Sequence, residues 1–270
     1  MPKKRILFIN QEIAPYLAQT EMGNHGKQLL QKAHSNGYEV RTFMPKFGAV
    51  NERRNQLHEV IRLSGMNISI NDNDHPLIIK VASLQPSRIQ VYFIDNDDYF
   101  IKGEDDIDAA GSNRPDNDER ALFYARGTME TVKKLRWVPE LIQCSGWITA
   151  FCPLYMRRMT GEENPFKQSK IIYTVEPGNT PQVIDENVFA RLKTDGVITR
   201  DIKKFKDYPL DSRFLHLAAL EYSHGVIFLT DEPDPVLLER AQALKMPVLT
   251  KKEIDANPDA YLEFYKKFEK

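Results

Sequence analysis

Two carboxylates stand where acid–base chemistry is easiest to build. Glu12 follows the apolar run Arg5–Asn10, and Glu176 follows the apolar run Lys170–Val175. As strands of one parallel sheet, the two runs end on a shared edge, and carboxylates converging there could act as general acid and base. Plainer roles fit both residues as well. Glu12 can cap or brace a loop, and Glu176 can open the turn Glu176–Pro177–Gly178. A third junction lies in Pro139–Met159, where the strand-length run Glu140–Cys144 meets a Ser145–Gly146 break and then helix-spaced apolar residues from Trp147. The junction has the architecture of a site, yet it reads Cys-Ser-Gly-Trp and offers no group that titrates near neutral pH. The rings of Trp147 and Tyr155 could stack on a sugar, although their helical spacing fits a core equally well.

The remaining chemistry is sparse. The six histidines, His25, His34, His58, His75, His216 and His224, show no H-x-x-x-H spacing, so no metal centre is expected. His25 alone lies near the predicted edge, where a place on a helix surface also accounts for it. The chain has no G-x-G-x-x-G after its first strand, no G-x-x-x-x-G-K-[ST] and no G-x-S-x-G. Neither a cofactor loop nor a hydrolase nucleophile is therefore expected, and no catalytic residue is assigned.

The elements that must position these residues alternate. Arg5–Asn10 reads as a buried parallel strand, Asn24–Ser35 as a helix and Tyr38–Met44 as a second strand. Gly48–Ile70 is irregular, Asn71–Pro76 a polar turn, and Leu77–Leu84 with Arg88–Ile94 a hairpin across Gln85–Ser87. Lys102–Asn117 is an acidic segment expected in a solvated loop. A long helix follows over Asp118–Arg136, with Asn117 and Asp118 as capping side chains. Beyond Lys170–Val175 and a mixed stretch, Thr180–Pro209, come a helix at Arg213–Tyr222, a strand at Gly225–Thr230 and helices at Asp234–Lys245 and Ala260–Lys270. The pattern predicts an α/β, doubly wound, mostly parallel Rossmann-like sheet formed as a single domain over residues 1–270.

Composition narrows the function classes. With 37 basic and 38 acidic residues the charge is balanced, which argues against nucleic-acid and anionic-membrane partners. The two cysteines, Cys144 and Cys152, both fall in apolar sequence and are expected as buried thiols in a reducing cytosol. No apolar run approaches the roughly eighteen residues of a membrane helix, and Ile6–Ile9 is too short for a signal peptide. A cytoplasmic protein is expected.

Taken together, the motifs resemble the N-terminal half of the glycogen/starch synthases, glycosyltransferase family 5. The strand RILFIN with Glu12-Ile13-Ala14-Pro15-Tyr16 is similar to the family's strand and E-V-A-P-[FY], and Met44-Pro45-Lys46-Phe47-Gly48 to M-P-x-Y-G. The run Asp116–Met156 resembles the family's D-N-x-E-R helix, P-D-I-x-H strand and H-D-W turn. Residues 218–230, AALEYSHGVIFLT, resemble a later strand motif. The resemblance implies the fold of a GT-B N-terminal half, and an activity of glucosyl transfer from ADP-glucose or UDP-glucose to an α-1,4-glucan. In the family the N-terminal half mainly serves the acceptor, the C-terminal half holds most of the nucleotide-sugar site, and the chain ends about where the first half should end.

The match also implies substrate-binding positions: Glu12, Gln19, Ser145, Trp147, Tyr155 and Glu176. Several depart from the pattern. The family's K-[TV]-G-G-L-G-D loop is met by Gln19-Thr20-Glu21-Met22-Gly23-Asn24, so the lysine is Gln19 and Glu21 sits where a diphosphate would lie. Like charges at ~4 Å repel by roughly 1–4 kcal/mol. H-D-W is Ser145-Gly146-Trp147, the preceding strand histidine is Gln143, and T-I-H-N is Thr174-Val175-Glu176-Pro177. The expectation is a stand-alone acceptor-side domain, inactive alone, that binds α-glucan or a full-length synthase. Alternatives are a half-enzyme completed by a separate C-terminal half, and a regulatory domain with an acidic small-molecule pocket at Glu12, Glu21 and Glu176.

Overall fold

The computed structural model describes residues 3–18, 20–101, 110–158 and 164–269; Gln19 and residues 102–109 of the acidic segment lie outside them. The opening unit is β1 (Arg5–Asn10), α1 (Glu21–Ser35) and β2 (Glu39–Pro45). Helix α1 starts three residues earlier than its apolar spacing suggests. Thr20 caps it by accepting the Gly23 N–H at 2.9 Å, which satisfies an amide that would otherwise be orphaned.

Residues 48–70 are more regular than expected. They contain β3 (His58–Glu59) and β4 (Met66–Ile70), and β4 folds back on β5 (Asn73–Leu84). The turn between them is only Asn71–Asp72, with φ of 52° and 59°. Two left-handed residues of this type form the hairpin turn whose twist suits antiparallel strands, so Asn73–Pro76 are already strand. The hairpin from β5 to β6 (Ile89–Asp95) follows the prediction.

After β6 comes a short π turn at Asp97–Ile101, then α2 (Asn117–Leu135) and β7 (Leu141–Ser145). Asn117 and Asp118 are not caps. Asn117 donates to the Ser112 carbonyl at 2.7 Å, and Asp118 accepts from Arg191 at 2.6 Å. The helix expected from Trp147 is broken into a 3₁₀ turn, Trp147–Thr149, and α3 (Cys152–Arg158). Pro153 has no N–H to donate and fits only a first turn, so the helix restarts there. The remaining elements are β8 (Lys170–Val175), α4 (Val188–Thr194), α5 (Thr199–Ile202), α6 (Phe214–Leu220), β9 (Gly225–Phe228), α7 (Pro235–Ala243), β10 (Val248–Thr250), α8 (Lys251–Ala256) and α9 (Ala260–Lys266).

The strands order as β10-β9-β8-β7-β1-β2-β6-β5-β3, with β4 paired to β5 off this path. From β10 to β6 every pairing is parallel, and the β5 end is antiparallel. Because the chain winds from β1 to β2 and β6, then returns to place β7 on the other side of β1, the topological switch point lies between β1 and β7. Helices cover both faces, and β1, β7 and β8 are accordingly buried along almost their whole length. Pairing of Phe8 with Gln143 and of Ser145 with Thr174 puts these side chains on one face, where Phe8 meets Tyr265 of α9. On the opposite face Tyr173 meets His216 of α6.

Candidate functional site

The chain crosses itself closely at the switch point. The Gln11 N–H donates to the Ser145 carbonyl at 3.0 Å, which brings the loops after β1 and β7 into contact. Gly146 follows with φ of 89°, and a Cβ there would lie 2.7 Å from the Gln11 Cβ and Oε1. Only glycine satisfies both the backbone angle and the space. The Ser-Gly break read from the sequence is therefore the point where two strand exits touch.

Glu12 is half-buried, and its Oε2 accepts the Thr20 hydroxyl at 2.6 Å. The same hydroxyl oxygen caps α1, so Glu12 braces the loop that leads into the helix. Glu176 is engaged separately. It is 7% exposed, and its Oε1 accepts the Ser145 hydroxyl at 3.0 Å. The Nδ1 of His25 lies 3.6 Å from the same oxygen, and His25 Nε2 is 2.5 Å from the Tyr261 hydroxyl. Four groups thus form a line across the edge: hydroxyl, carboxylate, imidazole and phenol. Beneath this line Gln143 donates to Thr174 Oγ1 at 3.0 Å, and Tyr265 donates to the Gln143 Oε1. Both tyrosines belong to α9, which therefore closes the inner side of the edge.

The two aromatic candidates lie in the interior. Trp147 is 1% exposed and packs against the buried Arg120, whose guanidinium carbon is 5.9 Å from the ring centroid. Arg120 in turn donates to the Tyr99 carbonyl at 2.7 Å and to the Asn117 side chain at 2.8 Å, tying the π turn to α2. Tyr155 is buried and donates its hydroxyl to Asp195. Burial, with the Asp195 charge beside it, pushes the Tyr155 phenol well up. Trp147 is sealed between helices, whereas Tyr155 borders a pocket of about 160 Å³ with Arg126, Arg158 and Asp195. Gln19 lies outside the described residues.

Two features escaped the sequence reading. Tyr261 is 236 residues from its partner His25, and nothing local marks it beyond a place on an amphipathic helix. Arg191 binds Asp118 at 2.6 Å, Glu119 at 2.8 Å and Asp185 at 3.1 Å, clamping α4 to the start of α2. Burial pushes the Asp118 carboxyl up while Arg191 opposes the shift. Cys144 and Cys152 are free, buried thiols, and burial raises the Cys144 thiol well above its ordinary value. Among the described residues no group of three His, Cys, Asp or Glu side chains is arranged to hold a metal ion. No helix among them is long and apolar enough to cross a membrane.

Comparison with known proteins places this geometry. The family model described as starch synthase catalytic domain matches residues 5–229. Glycogen synthase of Chlorobium luteolum is 29% identical over 194 residues, 72% of this chain and 40% of the relative. Glycogen synthase of Chlorobium chlorochromatii is 31% identical over 182 residues, 66% of this chain and 37% of the relative. The chain thus spans about two fifths of the length of these curated relatives. Among solved structures, the catalytic domain of starch synthase IV from Arabidopsis thaliana, bound to ADP and acarbose, superposes with a TM-score of 0.70 at 16% identity. That match covers 94% of this chain and 53% of the other, and the fold is accordingly one Rossmann-like half of a GT-B glycosyltransferase. The continuous match from the first strand to the end of β9, made through the strands that build the switch point, establishes that the chain belongs to the starch synthase catalytic domain family.

Proposed function

We propose that this chain is an acceptor-side domain of the glycogen/starch synthase type, cytoplasmic and folded as one unit, that binds α-glucan or an active synthase and does not transfer glucose by itself. The observation that carries the reading is the composition of the line at the switch point. Ser145, Glu176, His25 and Tyr261 contain no lysine or arginine, and the carboxylate of Glu176 lies in the middle. A nucleotide diphosphate wants charge-assisted donors, whereas hydroxyl, carboxylate and imidazole groups suit the hydroxyls of a polysaccharide. Replacement of the family's lysine by Gln19 and of its histidine and aspartate by Ser145 and Gly146 supports the same reading.

Calorimetric titration of the purified chain tests it. Heat on adding maltoheptaose, with none on adding ADP-glucose, is the expected result. Binding of ADP-glucose, or elongation of a glucan by the chain alone, would overturn it. Activity gained only on mixing with a separately supplied nucleotide-sugar half would favour the half-enzyme alternative.

A further inference from the structure

At the opposite edge of the sheet, where β1, β7 and β8 begin, lies a groove of about 410 Å³. Ile6, Val138, Leu141 and Phe268 form its walls, and Val138 is 40% exposed there. Volumes of roughly 300–1,000 Å³ with apolar walls and few polar groups are typical of small-molecule sites.

Five charged side chains line the groove, and three of them are already paired. Lys4 pairs with Glu269, which also accepts the Tyr38 hydroxyl at 2.6 Å, and Arg5 pairs with Glu39 at 3.2 Å. Glu140 and Lys170 remain, one of each sign, and neither makes an ion pair with the other or with any other described residue. The strand order keeps them apart. Glu140 Oε2 accepts the Arg5 N–H at 2.7 Å, which holds this carboxylate toward β1, whereas Lys170 is the first residue of β8 and β7 runs between. Two strand spacings, roughly 10 Å, separate the two anchors. An ammonium and a carboxylate carried on one carbon, with a hydrogen bond of about 2.8 Å at each end, bridge most of such a gap. The apolar walls then receive the side chain of the same molecule.

We infer that this groove is a second ligand site, and that it takes a free α-amino acid with a large apolar side chain. The ammonium sits on Glu140, the carboxylate on Lys170, and the side chain against Ile6, Val138, Leu141 and Phe268. The site is independent of the glucan reading, because it lies at the far end of the strands from Glu176. One element joins the two. The segment that starts with α9 lends Phe268 to the groove, while Tyr261 and Tyr265 of α9 bond His25 and Gln143 beneath the switch point.

The test is a titration of the full chain with L-phenylalanine, followed by amide NMR shifts. Hydrocinnamate, which lacks the ammonium, and phenethylamine, which lacks the carboxylate, serve as one-charge analogues. Saturable shifts at Ile6, Leu141 and Lys170 are expected, with each analogue about tenfold weaker than phenylalanine. Glu140→Gln, which still accepts the Arg5 N–H, should weaken phenylalanine about tenfold and leave hydrocinnamate unchanged. Lys170→Gln should cost phenylalanine as much and leave phenethylamine unchanged. Val138→Trp, which fills an exposed part of the groove, is expected to abolish the shifts while leaving the spectrum folded. Absence of saturable shifts at these residues would overturn the site. Either analogue binding as tightly as phenylalanine, or phenylalanine affinity unchanged by both Gln substitutions, would overturn the amino-acid assignment.

Discussion

Two histidine–tyrosine pairs flank the same strand end, on opposite faces of the sheet. On one face the Tyr173 hydroxyl lies 2.8 Å from His216 Nδ1, and His216 is 4% exposed. On the other, the Tyr261 hydroxyl lies 2.5 Å from His25 Nε2, whose side chain retains 23% of its exposure and faces Glu176. The side-chain types are identical and the surroundings are not. Burial lowers His216 to about 4, so at neutral pH it is an uncharged packing residue. His25 has a carboxylate 3.6 Å away and keeps partial access to solvent. The first pair is a fastener and the second belongs to the candidate site.

Acidification separates them most strongly. Unfolded His216 takes up a proton near its ordinary 6.5, and the folded state refuses it down to about 4. The unfolded chain therefore binds more protons across that window, and stability present above pH 6.5 is lost as the pH falls toward 4. The slope reaches up to about 1.4 kcal/mol per pH unit for this one group. Burial lowers His224 to about 4 as well, so urea denaturation across the window should show both groups, and His216→Gln should remove about half of the slope; an unchanged slope would remove His216 as a source.

At fixed neutral pH, His216→Leu leaves a buried hydroxyl short of a partner and should cost about 2–3 kcal/mol. The same change at His25, on a partly exposed helix face, should cost under about 1 kcal/mol. Comparable losses in the two variants would erase the distinction between fastener and site.

Glu176→Gln preserves the size of the side chain and its bond from Ser145 while removing the charge. Its effect should appear in ligand binding more than in folding, as a loss of about tenfold in maltoheptaose affinity. The smallest change expected is Tyr261→Phe, which removes one hydrogen bond to His25 and should lower stability by about 0.5–1 kcal/mol. A larger thermal shift there would mean that α9 depends on that bond rather than on Phe264 and Phe268, whose rings would meet a Cβ placed on Gly225.

Legibility varied with how local each signal is. β1 and β8 run over Arg5–Asn10 and Lys170–Val175, as their unbroken apolar runs predict, because a strand buried on both faces needs nothing beyond that continuity. β4 was hidden inside residues 48–70, since its burial alternates over only five residues and its turn is a bare Asn-Asp pair. The family-matched positions divided by depth rather than by motif. Ser145 and Glu176 meet at the switch point, whereas Trp147 and Tyr155 turn inward, a choice that helical spacing leaves open.

Backbone angles and the apolar pattern are local properties, and they carried the strand order's raw material and the Ser145–Gly146 break. Gly146 could be read as a break because a φ of 89° belongs to glycine wherever it occurs. Which polar atoms would meet was a different matter. Tyr261 reaches His25, and Tyr265 reaches Gln143, only because α9 docks across β1, β7 and β9, a result of packing summed over the whole sheet face. Burial of one histidine and partial exposure of the other likewise came from the helix layers above them.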